Sequence, residues 1–366
     1  MDTLNTGVRN VKNVANYIIG KDSFLDLRNI LLERIGNDSE KVVFFIDIYF
    51  YNSHLLEEIK LDFPNTNIIP VDSTTEPTTS AIDAVIERMK LEEMKPEVLV
   101  AIGGGCTLDT CKAVSNLWTN GGQASQYQGW DLVKKPGLYK IAVPTISGTG
   151  AEATRTCVMT NTETGLKLGM NSDFTVFDYV VMDPELTSTV PRQQFFYTGM
   201  DAYIHCIESI RGNFRNPIGD SFSEQTLQLC RDVFNSSDMK SDDARSKLMV
   251  ASYLGGCAIA TSYVGLIHPL SAGLSVVLGI HHCEANCIAM RAVEEFYPEE
   301  YREFWGMVEK QKIHIRSGVT SELNRLKMDE LYDAMIVHEK PLYNALGEDF
   351  NDILTKEKVF ELYRRM

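Results

Sequence analysis

The stretch Val98-Leu-Val-Ala-Ile102-Gly103-Gly104-Gly105-Cys106-Thr107-Leu108-Asp109-Thr110-Cys111-Lys112 decides how the N-terminal half is read. A short apolar run that meets three glycines and then takes up helical spacing is a buried strand turning into a helix. Outward from it, strand-like runs recur at Lys41–Asp47, Asn67–Val71, Lys140–Val143 and Tyr179–Met182. Between two of them, residues 81–94 place Ile82, Val85, Ile86 and Met89 on one helical face. Strands alternating with helices imply a mainly parallel sheet covered on both faces. Beyond Pro191 the spacing turns helical, with segments expected at 192–212, 219–235, 242–262, 270–295, 299–312, 318–339 and 355–365. Asn216-Pro217 and Lys340-Pro341 mark expected breaks. The expected fold class is an α/β dinucleotide-binding domain over residues 1–188 followed by an all-α domain over 189–366.

A chain of 366 residues with 44% hydrophobic and 23% charged residues suits two globular domains and excludes a disordered, collagenous or coiled-coil whole. The formal net charge of -15 disfavours nucleic acid and anionic membranes as partners, because both are polyanions. Eight cysteines without a CxxC pair, and an N-terminus lacking an apolar core segment, lead to an expectation of reduced thiols, no signal peptide and a cytoplasmic location. Residues 253–280 contain no Asp, Glu, Lys or Arg and are long enough to span a bilayer. Five glycines and Pro269 interrupt that stretch, so it reads as two buried helices at the centre of the helical domain.

Gly103, Gly104 and Gly105 let a backbone approach a pyrophosphate closely, and the helix that follows presents free N–H groups to it. The run is not GxGxxG, and a plain tight turn accounts for it equally well. A second loop, Pro144-Thr145-Ile-Ser147-Gly148-Thr149-Gly150, also follows a strand, where ligands lie in open α/β sheets. Asp47 ends the first strand and either accepts from a ribose diol, which favours NAD over NADP, or is an ordinary loop acid.

The helical half holds an unusual polar set. Asp201 and His205 are four residues apart and share a helix face with apolar neighbours. His268 falls inside the uncharged stretch, and His282 follows fourteen residues later beside His281. One carboxylate and three imidazoles form a mixed O/N set that suits Fe(II) or Zn(II), and a shared cation offsets the cost of burying them. The competing reading is an Asp201–His205 hydrogen-bonded pair without metal. Cys206, Cys283 and Cys287 lie close by in sequence and read as small buried hydrophobes. His54, His314 and His338 read as surface or structural.

Taken in order, GGGCTLDTCK, PTISGTGAEAT, DPEL at 183–186, GMDAYIHCIES at 199–209 and the His268/His282 pair resemble the iron-containing (group III) alcohol dehydrogenase family, over roughly residues 15–290. The resemblance implies NAD(P) on the α/β domain and a divalent metal on the helical one, a fold shared with dehydroquinate synthase. It places Asp201, His205, His268 and His282 at the metal-ligand positions. Gly103, Gly104, Gly105 and Asp109 fall at the diphosphate and ribose, Thr145, Ser147 and Thr149 toward the nicotinamide, and Lys167 at the ribose. Within the family the motifs look most like those of members that oxidise carbon 8 of 3-deoxy-D-manno-octulosonate, implying a sugar-acid substrate. Arg155 is then the candidate partner of its carboxylate, against the reading of an ordinary solvated arginine.

Three departures stand out. Cys106 replaces the family's usual Ser, His281-His282-Cys283 replaces PHG, and Ala272 stands where many members carry a further His. With that His gone, a chain of water or sugar hydroxyls is one route for proton transfer and His281 is another candidate. Other readings are another NAD(P)-dependent alcohol or polyol dehydrogenase of the same family, a cyclising lyase, disfavoured by the lack of Lys or Arg around His268, and a catalytically silent metal or nucleotide sensor. A homodimer is compatible with the composition.

Overall fold

The computed structural model describes residues 11–366 and resolves two compact units, one of Lys12–Ile146 with Ala151–Thr189, the other of Val190–Met366 with the loop Ser147–Gly150. In the first unit the strands are β1 (Asn16–Ile19), β2 (Val42–Asp47), β3 (Asn67–Val71), β4 (Val98–Gly103), β5 (Gly129–Trp130), β6 (Tyr139–Pro144), β7 (Thr156–Thr160), β8 (Lys167–Asn171) and β9 (Tyr179–Met182). Helices α1 (Leu27–Ile35), α2 (His54–Asp62), α3 (Thr79–Leu91) and α4 (Gly105–Asn120) alternate with them. Six strands form a parallel sheet in the order β1-β9-β6-β4-β2-β3.

Every residue of β2 and β4 is buried, as a sheet covered on both faces requires. Alternate residues Phe44, Ile46, Val100, Ile102, Ile141 and Val143 join Leu27, Leu31, Leu56 and Ile59 of α1 and α2 in one core cluster. At about 1.5–3 kcal/mol per buried large apolar side chain, the fully buried β2 and β4 are major contributors to this core.

The edge strand β1, and the small sheet β5-β8-β7 with its β7/β8 hairpin, were not expected from the sequence. The hairpin residues TCVMT and KLGMN lack a clean apolar alternation. Their turn is nonetheless built by recognisable chemistry: Asn161 Oδ1 accepts the N–H groups of Glu163 and Thr164, and Gly165 takes φ 73°.

The second unit contains α5 (Arg192–Arg211), α6 (Pro217–Phe234), α7 (Asp242–Thr261), α8 (Ile267–Leu278), α9 (His282–Ala289), α10 (Pro298–Gln311), α11 (Arg325–Ile336), α12 (Glu339–Leu346), α13 (Phe350–Ile353) and α14 (Lys356–Arg364). Residues 195–209 of α5 are all buried, so it is the central helix and shows no single apolar stripe.

Two sequence expectations need correction. The helix expected over 270–295 is broken at Gly279, which takes φ 66° and ends α8 before His282 starts α9. The helix expected over 318–339 covers only Arg325–Ile336; Lys340-Pro341 marks a break as expected, with Pro341 in the first turn of α12, where its missing N–H has no intrahelical partner to lose. Asn216-Pro217 likewise opens α6, with Asn216 Oδ1 accepting from Gly219 N. No helix among the described residues is long and apolar enough to cross a membrane.

The loop Ser147–Gly150 is seated on α5 and α7. Gly150 N donates to Ser252 Oγ at 3.2 Å, and a Cβ on Gly148, whose φ is 150°, would stand 1.6 Å from the Thr198 carbonyl oxygen. Gly148→Ala is therefore expected to cost at least about 3 kcal/mol in urea unfolding. Gly306→Ala, in the exposed middle of α10 with nothing within 4 Å of the new methyl, is expected to gain about 0.5–1 kcal/mol in the same measurement.

Candidate functional site

The helical unit gathers the polar set from three helices. α5 presents Asp201 and His205 one turn apart, α8 brings His268 as its second residue, and α9 begins with His282. The Nε2 atoms of His205, His268 and His282 lie 3.7, 3.4 and 3.7 Å from the same atom, Asp201 Oδ1. The His205 and His268 rings stack at 4.7 Å between centroids, and His282 tilts against His268 at 5.4 Å. Asp201 has no exposed surface and His205 is 4% exposed.

These separations are too long for good hydrogen bonds. They match the distance of roughly 3.4 Å that two ligands keep when each lies about 2.1 Å from a tetrahedral cation. His205 Nδ1 is buried without a hydrogen-bond partner, as is Asn286 Oδ1. Three imidazole nitrogens facing one carboxylate oxygen, with no competing lysine or arginine in the cluster, are chemically suited to Fe(II) or Zn(II). The donor set fits a divalent metal: Asp201, His205 and His268 bring their ligand atoms within 4.8 Å of one another, and His282 approaches through its 3.7 Å distance to Asp201 Oδ1.

Two further residues complete the cluster. Glu208, fully enclosed on α5, places Oε2 2.5 Å from His268 Nδ1. Asn286, one turn after His282, donates from Nδ2 to Asp201 Oδ1 at 2.6 Å and lies 3.3 and 3.4 Å from the Nε2 atoms of His282 and His268. Neither was singled out from the sequence. The signal was present: Asp201, His205 and Glu208 follow i, i+4, i+7 on one helix face, and His282 and Asn286 follow i, i+4. Cys283, read as a small hydrophobe, also reaches the site, with Sγ 3.7 Å from Asp201 Oδ2.

The electrostatics follow from burial and pairing. Burial alone would raise the Asp201 carboxyl, but His205, His282 and His268 hold it far below the usual carboxylate range. Burial pushes His205 down to about 4 despite Asp201. Burial opposes the charged form of His268 as well, yet Glu208 and Asp201 carry it up to about 9.

In the α/β unit, β2, β4 and β6 end side by side, with Ile46 opposite Ile102 and Gly103 opposite Pro144. This sets Asp47, Gly103 and Thr145 along one carboxyl edge of the sheet. Gly104 is the extended N-cap of α4, and a Cβ on Gly103 would meet Thr107 Oγ1 at 2.5 Å. Asp47 is 4% exposed and accepts the Tyr49 N–H through Oδ1. Asp109 accepts from Val158 N at 2.9 Å; burial lifts its carboxyl to about 6, tempered by Lys112. Lys167 Nζ pairs with Glu76 Oε1 at 3.1 Å. Cys106 lies among Glu76, Lys167, Asp109 and Asp47, and burial drives its thiol up to about 12, so it stays neutral. A cavity of about 190 Å³ flanks the loop, lined by Val71, Asp72, Glu76, Pro77, Cys106 and Thr110 among others.

Ser147 is buried and Thr149 half-buried in the loop that packs with the helical unit. His281 is exposed at the N-cap of α9, directly before His282. Arg155 does not offer the free guanidinium expected for a substrate carboxylate. It lies 2.6 Å from Asp131 and 3.1 Å from Asp173, so two carboxylates already neutralise it beside the small sheet. The buried Lys112 is structural too: Nζ donates to Thr154 O, Thr154 Oγ1 and Thr156 O, tying α4 to β7.

Comparison with known proteins agrees with this architecture. Residues 15–184 match the iron-containing alcohol dehydrogenase family, and residues 195–349 match the C-terminal part of the Fe-containing alcohol dehydrogenase family. The chain is 34% identical over 215 residues to the sulfoacetaldehyde reductase of Bilophila wadsworthia, a match spanning 58% of this chain and only 54% of that protein. It is 28% identical over 270 residues to the NAD-dependent methanol dehydrogenase of Bacillus methanolicus, covering 72% of this chain and 70% of that one. The alcohol dehydrogenase from Oenococcus oeni shares the fold with a TM-score of 0.84 at 20% identity, covering 97% of this chain and 99% of that one. With both units matched in order, the chain belongs to the iron-containing alcohol dehydrogenase family.

Proposed function

We propose that the protein is a metal- and NAD(P)-dependent alcohol oxidoreductase whose substrate is the terminal primary alcohol of an acidic sugar. The observation that carries the metal part is the approach of three imidazole Nε2 atoms to Asp201 Oδ1 at 3.4–3.7 Å. Asp201, His205, His268 and His282 hold the divalent ion. A cation there supplies Lewis acidity toward an alcohol oxygen, and a bound nicotinamide supplies a hydride acceptor. The chain's own share is to bind, align and exclude water. The N–H groups at the start of α4 take the diphosphate, Asp47 accepts from the ribose diol, and Asp109 and Lys167 flank that region. Thr145, Ser147 and Thr149 face the nicotinamide end. Ala272 offers no imidazole one turn after His268, so His281, exposed beside His282, receives the alcohol proton and releases it to solvent.

Within this class the reading narrows to oxidation of 3-deoxy-D-manno-octulosonate at carbon 8 to an aldehyde, a step preceding amination for lipopolysaccharide synthesis. Support comes from the motif set of the two loops and the GMDAYIHCIES helix. An anionic substrate is also consistent with the relative named as a sulfoacetaldehyde reductase. That relative motivates a second reading, reduction of a short anionic aldehyde.

With iron or zinc restored and oxygen excluded, the sugar acid and NAD are expected to raise the absorbance of reduced nicotinamide; no rise would defeat the acceptor assignment. Activity with sulfoacetaldehyde and reduced cofactor, but none with sugar acids, would select the second reading. Asp201→Ala or His205→Ala is expected to lower turnover by on the order of a thousandfold, since metal polarisation contributes several kcal/mol. Asp47→Ser retains a cap for Tyr49 N but removes the charge near the ribose. Its kcat/KM ratio is expected to shift about tenfold toward NADP, equivalent to ~1.4 kcal/mol.

A further inference from the structure

Glu208 is a buried carboxylate that no part of the proposed chemistry uses. It lies two turns after Asp201 on α5 and is 1% exposed. Both its oxygens are committed. Oε1 accepts the backbone N–H of Ile267, the first residue of α8, at 2.5 Å, and Oε2 meets His268 Nδ1 at 2.5 Å. Gly265 admits it: a Cβ there would stand 3.1 Å from Glu208 Oε1 and 2.8 Å from the Tyr297 hydroxyl. No lysine or arginine pairs with Glu208 among the described residues; its charge is met by the helix N-terminus and one imidazole.

A neutral imidazole carries one N–H, and the nitrogen that faces a carboxylate keeps it. For His268 that nitrogen is Nδ1. The lone pair is therefore left on Nε2, the atom 3.4 Å from Asp201 Oδ1. The same carboxylate also fixes the backbone that carries His268, because it holds the N–H of the preceding residue.

We propose that Glu208 is a positioning residue of the metal centre: it holds His268 as the Nδ1–H tautomer with Nε2 turned toward Asp201, and so sets how tightly a divalent cation is retained. This rests on the ligand reading given above. Glu208→Gln has almost the same shape but reverses the arrangement. To keep the bond from Ile267 N, the Gln presents its carbonyl oxygen there, and its amide then donates to His268 Nδ1. The imidazole proton is forced onto Nε2, the ligand atom. Turning the amide round sets two N–H donors against each other at Ile267.

The test is a titration of the metal-stripped full-length protein with Co2+ and Zn2+ against a chromophoric chelator, with the visible absorption of the Co2+ form as a second readout. Glu208→Gln is expected to bind 10–100 times more weakly, at roughly the cost of removing an orienting carboxylate, with unchanged far-UV circular dichroism and an altered Co2+ band. Gly265→Ala, which crowds the carboxylate but keeps its charge, is expected to weaken binding by a smaller factor. Asp201→Ala and His205→Ala are the reference. If both retain wild-type affinity, the ligand assignment itself fails. If both lose the metal while Glu208→Gln stays within about twofold of wild type, only the role of Glu208 is overturned. Should Glu208→Gln not fold, Gly265→Ala decides: several-fold weaker binding supports the role, and wild-type affinity overturns it.

Discussion

An ionised carboxylate with no exposed surface is the constraint around which the helical unit is organised. Asp201 sits in the middle of α5, where residues 195–209 are all buried. Leaving such a charge unpaired costs several kcal/mol, so its neighbours must arrive from elsewhere in the chain. His268 comes from α8, His282 and Asn286 from α9, and only His205 from α5 itself. The mutual placement of three helices is thereby tied to the partners of one side chain. Gly279 breaks the apolar run so that α8 and α9 approach as separate helices rather than one.

The same rule governs the α/β unit, with a different result. Lys112 has no exposed surface and spends its ammonium on Thr154 and Thr156. Lys167 is held by Glu76, and Arg155 by Asp131 and Asp173. These basic groups are already committed to the fold. A buried cation is poor evidence for an anionic ligand until its own partners have been identified. The proposed recognition of a diphosphate by backbone N–H groups at the start of α4 would escape this difficulty, because those groups have no intrahelical partners to give up.

Much of this was legible in order along the chain. The strands of the large sheet were readable because central parallel strands are continuously apolar, as in VVFFID and VLVAIG. The hairpin β7/β8 was not, because its two faces mix Thr, Cys, Met, Lys and Asn and its sheet has only three strands. Asp201, His205, His268 and His282 stood out as polar residues in apolar surroundings, and the structure brings them together. Glu208 and Asn286 escaped notice because acids and amides are frequent in any sequence. Their helical spacing becomes informative only once His268 is known to face Glu208.

Residue order by itself determined the alternation of strands and helices, the two glycine turns and the chemical character of the metal-ligand candidates, because these follow from local periodicity and residue type. Tertiary structure alone decided that three imidazoles meet one carboxylate oxygen, that Arg155 is already neutralised and that Glu208 reaches the far nitrogen of His268. Those facts depend on side chains far apart in sequence, and only packing sets the distances between them.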